Sequence, residues 1–228
     1  MNSTTADTVV FPATFALPPV SQRIRAALSA LGVLMRDHTR LDQVLVFTQA
    51  VNLGRLARIS KRIESLPGGG EMLASKPRID REHVDFDALR RLPDGTLGRE
   101  YTRFLDDNGI TPDVFEELPA VGDERIAWMM MRMRQTHDLW HVLTGYTPDV
   151  PGEIRLQAFT YAQTGAPSAL FLTIFGSLRW TISQKGHVGS VMRAYRRGKE
   201  TQWLPTFRWE DHWETPVEEL RAKLTCPS

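Results

Sequence analysis

The side chains able to do chemistry gather in one short stretch: His137-Asp138-Leu139-Trp140-His141, with Glu153 following after eleven intervening residues. Neutral imidazoles and carboxylates are ligands of divalent cations, so four such groups within seventeen positions point to a metal site. Two histidines with one or two carboxylates suit a borderline ion such as zinc, and a more oxygen-rich set also admits iron, manganese, cobalt or magnesium. Residue types do not choose among them. The bland alternative is a pair of surface or core histidines that happen to stand four apart; Asp138 inside the pair and Glu153 beyond it weigh against that. The stretch also nearly matches HExxH, in which the glutamate activates water on zinc. Aspartate is a methylene shorter, which limits its reach as a general base, and no third histidine stands where the extended motif places one. A metallopeptidase is therefore disfavoured.

Positioning such a site takes a helix and a reversal of the chain. Asp123 to Thr144 contains no Gly or Pro and is rich in Met, Ala, Leu and Arg, which predicts one long helix ended by Gly145. Residues four apart on a helix have Cβ atoms roughly 6 Å apart, so His137 and His141 can face one ion. Asp138 lies about 100° round the helix, at the edge of that face. It can be a third ligand or the acceptor that fixes a histidine tautomer. The loop from Tyr146 to Gly152 is long enough to return Glu153 at the start of the next helix.

Apolar spacing predicts the supporting elements. One helix opens at Ser21 and runs to Leu34 or Met35; another runs from about Arg40 to Leu66, carrying Val44, Phe47, Val51, Leu53 and Leu56. Pro67-Gly68-Gly69-Gly70 stops it, and lacks the Gly-Lys-Ser/Thr completion and preceding strand of a phosphate loop, so residues 67–70 are expected to be a flexible connector. Asp85 to Arg91 and Arg99 to Asn108 read as short helices around the Pro93-Asp94-Gly95 turn, and Pro112 as the first turn of a helix ending near Glu117. From Phe159 to Ile182 the chain is apolar almost all round, which predicts a buried central helix or the lining of a pocket for an apolar ligand tail. Its uninterrupted apolar part is shorter than the roughly 20 residues that span a bilayer. Without alternating strand patterns or repeats, the expectation is an all-α, single-domain helical bundle: a flexible arm over 1–20 and one helical domain over 21–228.

Bulk properties bound the function. At 228 residues with 42% hydrophobic and 24% charged composition the chain is ordinary globular protein, and a net charge of +1 gives no case for nucleic acid as a partner. Arg193, Arg196, Arg197 and Lys199 form a local basic cluster, either a solvated helix face or a contact for anionic headgroups. The single cysteine, Cys226, excludes an intrachain disulfide and fits a reducing cytoplasm. Residues 1–20 lack the basic start and apolar core of a secretory signal and contain no Arg or Lys, unlike a mitochondrial transit peptide. A bacterial, cytoplasmic protein is expected.

The motif and its surroundings resemble the coenzyme Q (ubiquinone) biosynthesis protein four family, whose mark is H-D-x-x-H-x(11)-E. The likeness extends to Leu92-Pro93-Asp94-Gly95-Thr96-Leu97-Gly98-Arg99-Glu100-Tyr101, Phe104-Leu105-Asp106, Gly152-Glu153-Ile154, Gln163-Thr164-Gly165-Ala166-Pro167 and the Trp209-Glu210 and Trp213 stretch, covering roughly Arg90 to Leu224. The resemblance implies that His137, Asp138, His141 and Glu153 bind a divalent metal, with zinc first, in a helical protein that has an apolar lipid-binding tunnel or groove. It further implies either of two roles. One is oxidative decarboxylation of a polyprenylated aromatic acid, with carboxyl removal and hydroxylation at ring carbon 1. The other is a non-catalytic lipid-binding scaffold for a ubiquinone-biosynthesis enzyme complex. The catalytic role gives the metal site a purpose and is favoured. Arg99, Glu100 and Tyr101 are candidate head-group contacts, against the alternative of a helix-start ion pair and a packed aromatic; Phe171 and Phe175 are candidate tail contacts. Expected partners are the polyprenylated quinone precursor, other ubiquinone-biosynthesis proteins, a second copy in a homodimer, and peripheral contact with the inner face of a bacterial membrane.

Overall fold

The computed structural model describes residues 17–37, 40–112, 123–181 and 187–224. These contain α1 (Val20–Arg36), α2 (Leu41–Glu64), α3 (Gly69–Ser75), α4 (Phe86–Arg90), α5 (Leu97–Asn108), α6 (Glu124–Gln135), α7 (His137–Thr144), α8 (Val150–Thr164), α9 (Pro167–Thr181), α10 (His187–Glu200) and α11 (Val217–Leu224). Two short 3-10 turns, Leu204–Thr206 and Trp209–His212, stand between α10 and α11. Among the described residues there is no strand, only an isolated bridge between Thr96 and Pro216. The all-α class is the one the sequence predicts. Most of the N-terminal arm, the helix expected to end near Glu117, and Cys226 lie outside the described residues.

The helices form where apolar spacing places them, and short polar devices end them. The Asp85 carboxylate accepts from the Ala88 N–H at 2.9 Å to start α4, and Asp123 accepts from Arg125 and Ile126 to start α6. At the end of α2, Gly68 takes φ 72°, and a Cβ on Gly69 would lie 1.7 Å from the Ile63 carbonyl oxygen. The glycine run is therefore a tight turn that feeds α3 directly. The first N–H groups of α5 are satisfied from the far end of the chain: Leu97 donates to the Thr215 carbonyl at 2.9 Å and Gly98 to that of Trp213 at 2.8 Å.

One predicted helix is two. The structure breaks the expected 123–144 helix at Thr136, whose hydroxyl donates to the Arg132 carbonyl at 2.9 Å. This back-bonding onto the preceding turn bends helices. Thr136 N–H still reaches the Arg132 carbonyl, and Trp140 N–H that of Thr136, so no loop intervenes.

Packing follows sequence neighbours first and then crosses the chain: α1 lies on α2, α8 lies against both α9 and α10, and α2 meets α6. Trp140, Trp209, Tyr101 and Phe159 are fully buried with Leu139, Leu143 and Leu156, and a second cluster joins Leu53, Leu56 and Ile63 of α2 to Met129 and Met130 of α6. Each such large apolar side chain contributes about 1.5–3 kcal/mol by leaving water. The apolar stretch from 159 to 182 departs from the buried central helix expected of it. Gly165, at φ 63°, divides it into α8 and α9, and α9 leaves Leu172, Ile174, Phe175 and Leu178 at 40–62% exposure. Among the described residues no helix is long and apolar enough to cross a membrane.

Candidate metal centre

Helix α7 carries both histidines, one turn apart, and the loop after it is shaped to bring Glu153 back to them. Gly145 ends α7 at φ 73°, donating to the His141 carbonyl at 2.7 Å. Two arginines from distant helices hold the remaining carbonyls of that end: Arg197 donates to Thr144 at 2.7 Å, and Arg221 to Leu143 and Val142, each at 2.8 Å. Asp149 then starts α8, accepting from the Gly152 N–H at 2.8 Å and from the Thr147 hydroxyl at 2.8 Å. Gly152 is required there, because a Cβ would meet the Thr147 carbonyl oxygen at 1.9 Å. Glu153 follows in the first turn of α8.

The result is a compact group of donors. His141 Nε2 lies 3.0 Å from Glu153 Oε1, and His137 Nε2 lies 3.6 Å from Glu153 Oε2. The two imidazoles meet edge to face, with centroids 5.0 Å apart, and the ligating atoms of His137, His141 and Glu153 all fall within 4.8 Å of one another. His141 is buried, and its Nδ1 donates to the Tyr146 carbonyl at 2.8 Å, which leaves Nε2 of the neutral ring with a lone pair. That buried Nε2 faces the Glu153 carboxylate and makes no hydrogen bond to any other group. A lone pair aimed at a carboxylate is unfavourable unless a proton or cation stands between them. Ligands about 2.0–2.2 Å from a zinc ion stand roughly 3–4 Å from one another, and the separations of Glu153 from the two histidines fall in that range.

The electrostatics agree. Burial works against the Glu153 carboxylate, but hydrogen bonds and charge from His137 and His141 outweigh it and hold its pKa at about 2. Burial also opposes charging of His137, yet Glu153 and then Asp138 raise its pKa. Asp138, unlike Glu153, is shifted upward: burial raises its pKa, the two histidines oppose this, and Glu153 adds to it. Asp138 is not one of the three residues whose ligating atoms converge. It lies with His137 on the wall of an adjoining groove.

That groove has a volume of about 560 Å³ and runs between α2, α6, α8 and α9. Its apolar lining comes from Val44, Leu56 and Ile59 of α2, Met130 and Met133 of α6, and Leu172 of α9. Phe171 packs instead on Phe47 and Phe175, with centroids 5.0 and 4.2 Å away. Arg99 donates to the Arg90 carbonyl and pairs with Asp94, while Glu100 accepts from the Gly95 N–H and from Arg103. Tyr101 is buried and stacks on Trp213. Burial, and then the Asp138 charge, raise the pKa of its hydroxyl. None of these three lines the groove, and their contacts are those of a helix start and a packed aromatic. Of the basic cluster, Arg193, Arg196 and Lys199 are exposed, and Arg197 turns inward to cap α7. Two features were not anticipated from the sequence: the Phe104 ring stacks on His141, with centroids 5.1 Å apart, and the Tyr146 carbonyl sets its tautomer. Their only signals in the sequence are the Phe104-Leu105-Asp106 segment of the resemblance and the place of Tyr146 just beyond Gly145.

Fold and site together define a class: an all-α protein with a His/His/Glu cluster formed across one helix pair and opening beside an apolar groove. Residues 11–227 match the model of the coenzyme Q (ubiquinone) biosynthesis protein Coq4 family, and the chain belongs to that family. The match reaches well beyond the Arg90 to Leu224 span of the motifs. The chain is 33% identical over 217 residues to the mitochondrial ubiquinone biosynthesis protein COQ4 homolog of Danio rerio, covering 94% of this chain and 80% of that protein. It is 31% identical to the Homo sapiens homolog over 208 residues, covering 90% and 78%. A crystal structure of a protein from Nostoc punctiforme superposes with a TM-score of 0.71 at 28% identity, covering 91% of this chain and 98% of that one.

Proposed function

We propose that the chain acts in ubiquinone biosynthesis as a metal-dependent oxidative decarboxylase of a polyprenylated aromatic acid, replacing the carboxyl group at ring carbon 1 with a hydroxyl. The observation that carries the reading is the convergence of His137, His141 and Glu153, with the buried His141 Nε2 3.0 Å from Glu153 Oε1, beside a groove of about 560 Å³. Those three residues would hold the cation. Zinc suits the two imidazoles and one carboxylate, with iron, manganese, cobalt and magnesium as alternatives. When bound, it supplies Lewis-acid stabilisation of negative charge on a carboxylate or phenolic oxygen. Three protein ligands would leave a position for substrate, as catalytic rather than structural sites do.

The chain's own residues do the rest. The Tyr146 carbonyl fixes the His141 tautomer and Phe104 packs against the imidazole, while Asp138 shares the groove wall with His137. The apolar groove takes the prenyl tail and keeps water from the ring. In balance, the aromatic acid, one water and one dioxygen yield the phenol, carbon dioxide and hydrogen peroxide. The carbon–carboxyl bond breaks, a carbon–oxygen bond forms, and two electrons pass from the aromatic acid to dioxygen. Turnover of a prenylated 4-hydroxybenzoate-type acid by metal-analysed protein should give carbon dioxide and the hydroxylated product in air, neither without oxygen, and neither in His141→Ala. Product formation by a metal-free His141→Ala protein would refute the assignment.

The scaffold reading has an observation of its own. Phe175 and Leu178 of α9 and Val188 and Met192 of α10 are exposed, with Arg193 and Arg196 nearby in sequence. Such a face suits a membrane surface, a pathway protein or a second copy of the chain. Tight binding of prenylated acid without turnover, under varied metals, would favour a lipid-presenting platform.

A further inference from the structure

The groove contains two polar side chains that the protein itself leaves unsatisfied. Gln49 of α2 is 1% exposed, yet neither its amide nitrogen nor its amide oxygen has a hydrogen-bond partner. The hydroxyl of Thr160 on α8 is likewise buried and without a partner. Both residues line the same groove as His137 and Asp138. Nearby, Asn52 donates to the Ser168 hydroxyl at 2.8 Å and accepts from its N–H at 3.1 Å, and the Arg55 guanidinium holds the Thr164 carbonyl. Leaving a primary amide buried and unpaired is costly, and one that lines a groove is open to bonds supplied by a ligand or water.

Resting on the proposed reading of the groove as the substrate site, we propose that Gln49 and Thr160 form its polar anchor and select a ring hydroxyl. An amide offers both donors and an acceptor oxygen, and a hydroxyl offers one donor and an acceptor. A carboxylate could take bonds from the Gln49 NH₂ and the Thr160 O–H but would leave the Gln49 carbonyl unpaired. A hydrocarbon tail would leave all of them unpaired. A phenolic hydroxyl both donates to the Gln49 carbonyl and accepts from an N–H or the Thr160 O–H. The anchor therefore assigns orientation: the hydroxyl edge of the ring lies towards Gln49, leaving the carboxylate edge for His137, His141 and Glu153.

The test compares binding of geranyl-substituted phenol with that of geranylbenzene, which lacks the hydroxyl, to the full chain by calorimetry. Wild type should prefer the phenol. Gln49→Leu removes the amide at similar size; it should weaken phenol binding by about tenfold, the scale of an unmade buried pairing, leave geranylbenzene binding unchanged, and leave the unliganded protein as stable as before or more so. Thr160→Val should act in the same direction. A Gln49→Leu protein that keeps the full preference for phenol overturns the anchor while the groove stands as the ligand site. Wild type that binds neither probe overturns both. Should Gln49→Leu fail to fold, the amide has a structural role and the anchor is refuted, with Thr160→Val still reporting on the groove.

Discussion

At the scale of single residues, the site depends on atoms that are not ligands. Glu153 reaches the histidines because Gly152 lets the chain pass within contact of the Thr147 carbonyl. Gly152→Ala should force that turn apart, displacing Glu153 while leaving α7 intact. Loss of one well-placed partner typically lowers metal affinity by about 10–100-fold, and metal titration of the folded variant is the check. An unchanged affinity would mean that Glu153 is not a ligand. The histidines and the glutamate were legible in the sequence because their geometry is local: a four-residue helical spacing and one loop fix it. Gln49 and Thr160 were not, since nothing in an amphipathic helix says which polar side chain finds no partner; the only hint is the polar run Thr48, Gln49 and Asn52 interrupting the apolar stripe of α2.

At the scale of elements, helix periodicity set most boundaries to within a few residues, and the misses have physical causes. The break at Thr136 is invisible in the sequence because no Gly or Pro marks it; in the structure the Thr136 hydroxyl bonds to the Arg132 carbonyl there. The exposure of α9 is hidden because apolar composition predicts burial and says nothing of which face has a neighbour. The segment before α4 is held by a charge: Asp80 is 6% exposed, with Arg78 Nε at 2.7 Å and His83 Nδ1 at 2.6 Å. Burial disfavours its carboxylate, but the His83 hydrogen bond and the Arg78 charge prevail and bring its pKa below the ordinary 3.8. A folded value below the unfolded one means stability that is fully present above about pH 4 and is lost as pH falls through the folded value. Asp80→Asn should therefore destabilise the protein at neutral pH by about 1–3 kcal/mol, the cost of a broken buried bond to a charged group, and flatten the acid limb of its unfolding curve. An acid limb identical to wild type would remove Asp80 from the account.

At the scale of the whole molecule, the groove and the site draw on helices far apart in sequence, so neither volume nor lining could be read from local patterns. What holds that arrangement is the segment between α10 and α11. Trp209 is fully buried, Trp213 stacks on Tyr101 with centroids 5.9 Å apart, and its carbonyl caps α5. Glu210 grips Arg132, which also donates to the Phe207 carbonyl at 3.1 Å. Arg132 is 1% exposed and sits on α6, one turn before the metal-site helix, so this ion pair joins the end of the chain to the floor of the site. Removing one partner of a buried pair strands the other charge and costs about 3–5 kcal/mol, whereas replacing both with apolar residues of similar size is often neutral. Arg132→Met should accordingly lower the thermal midpoint, by roughly 2–4 °C for each kcal/mol in a domain of this size, and loosen metal binding with it. Arg132→Met combined with Glu210→Leu should recover most of the loss. A double variant no better than the single would show that the packing of the Arg132 stem and the Phe207 bond, rather than the paired charges, fasten the C-terminal segment to the site.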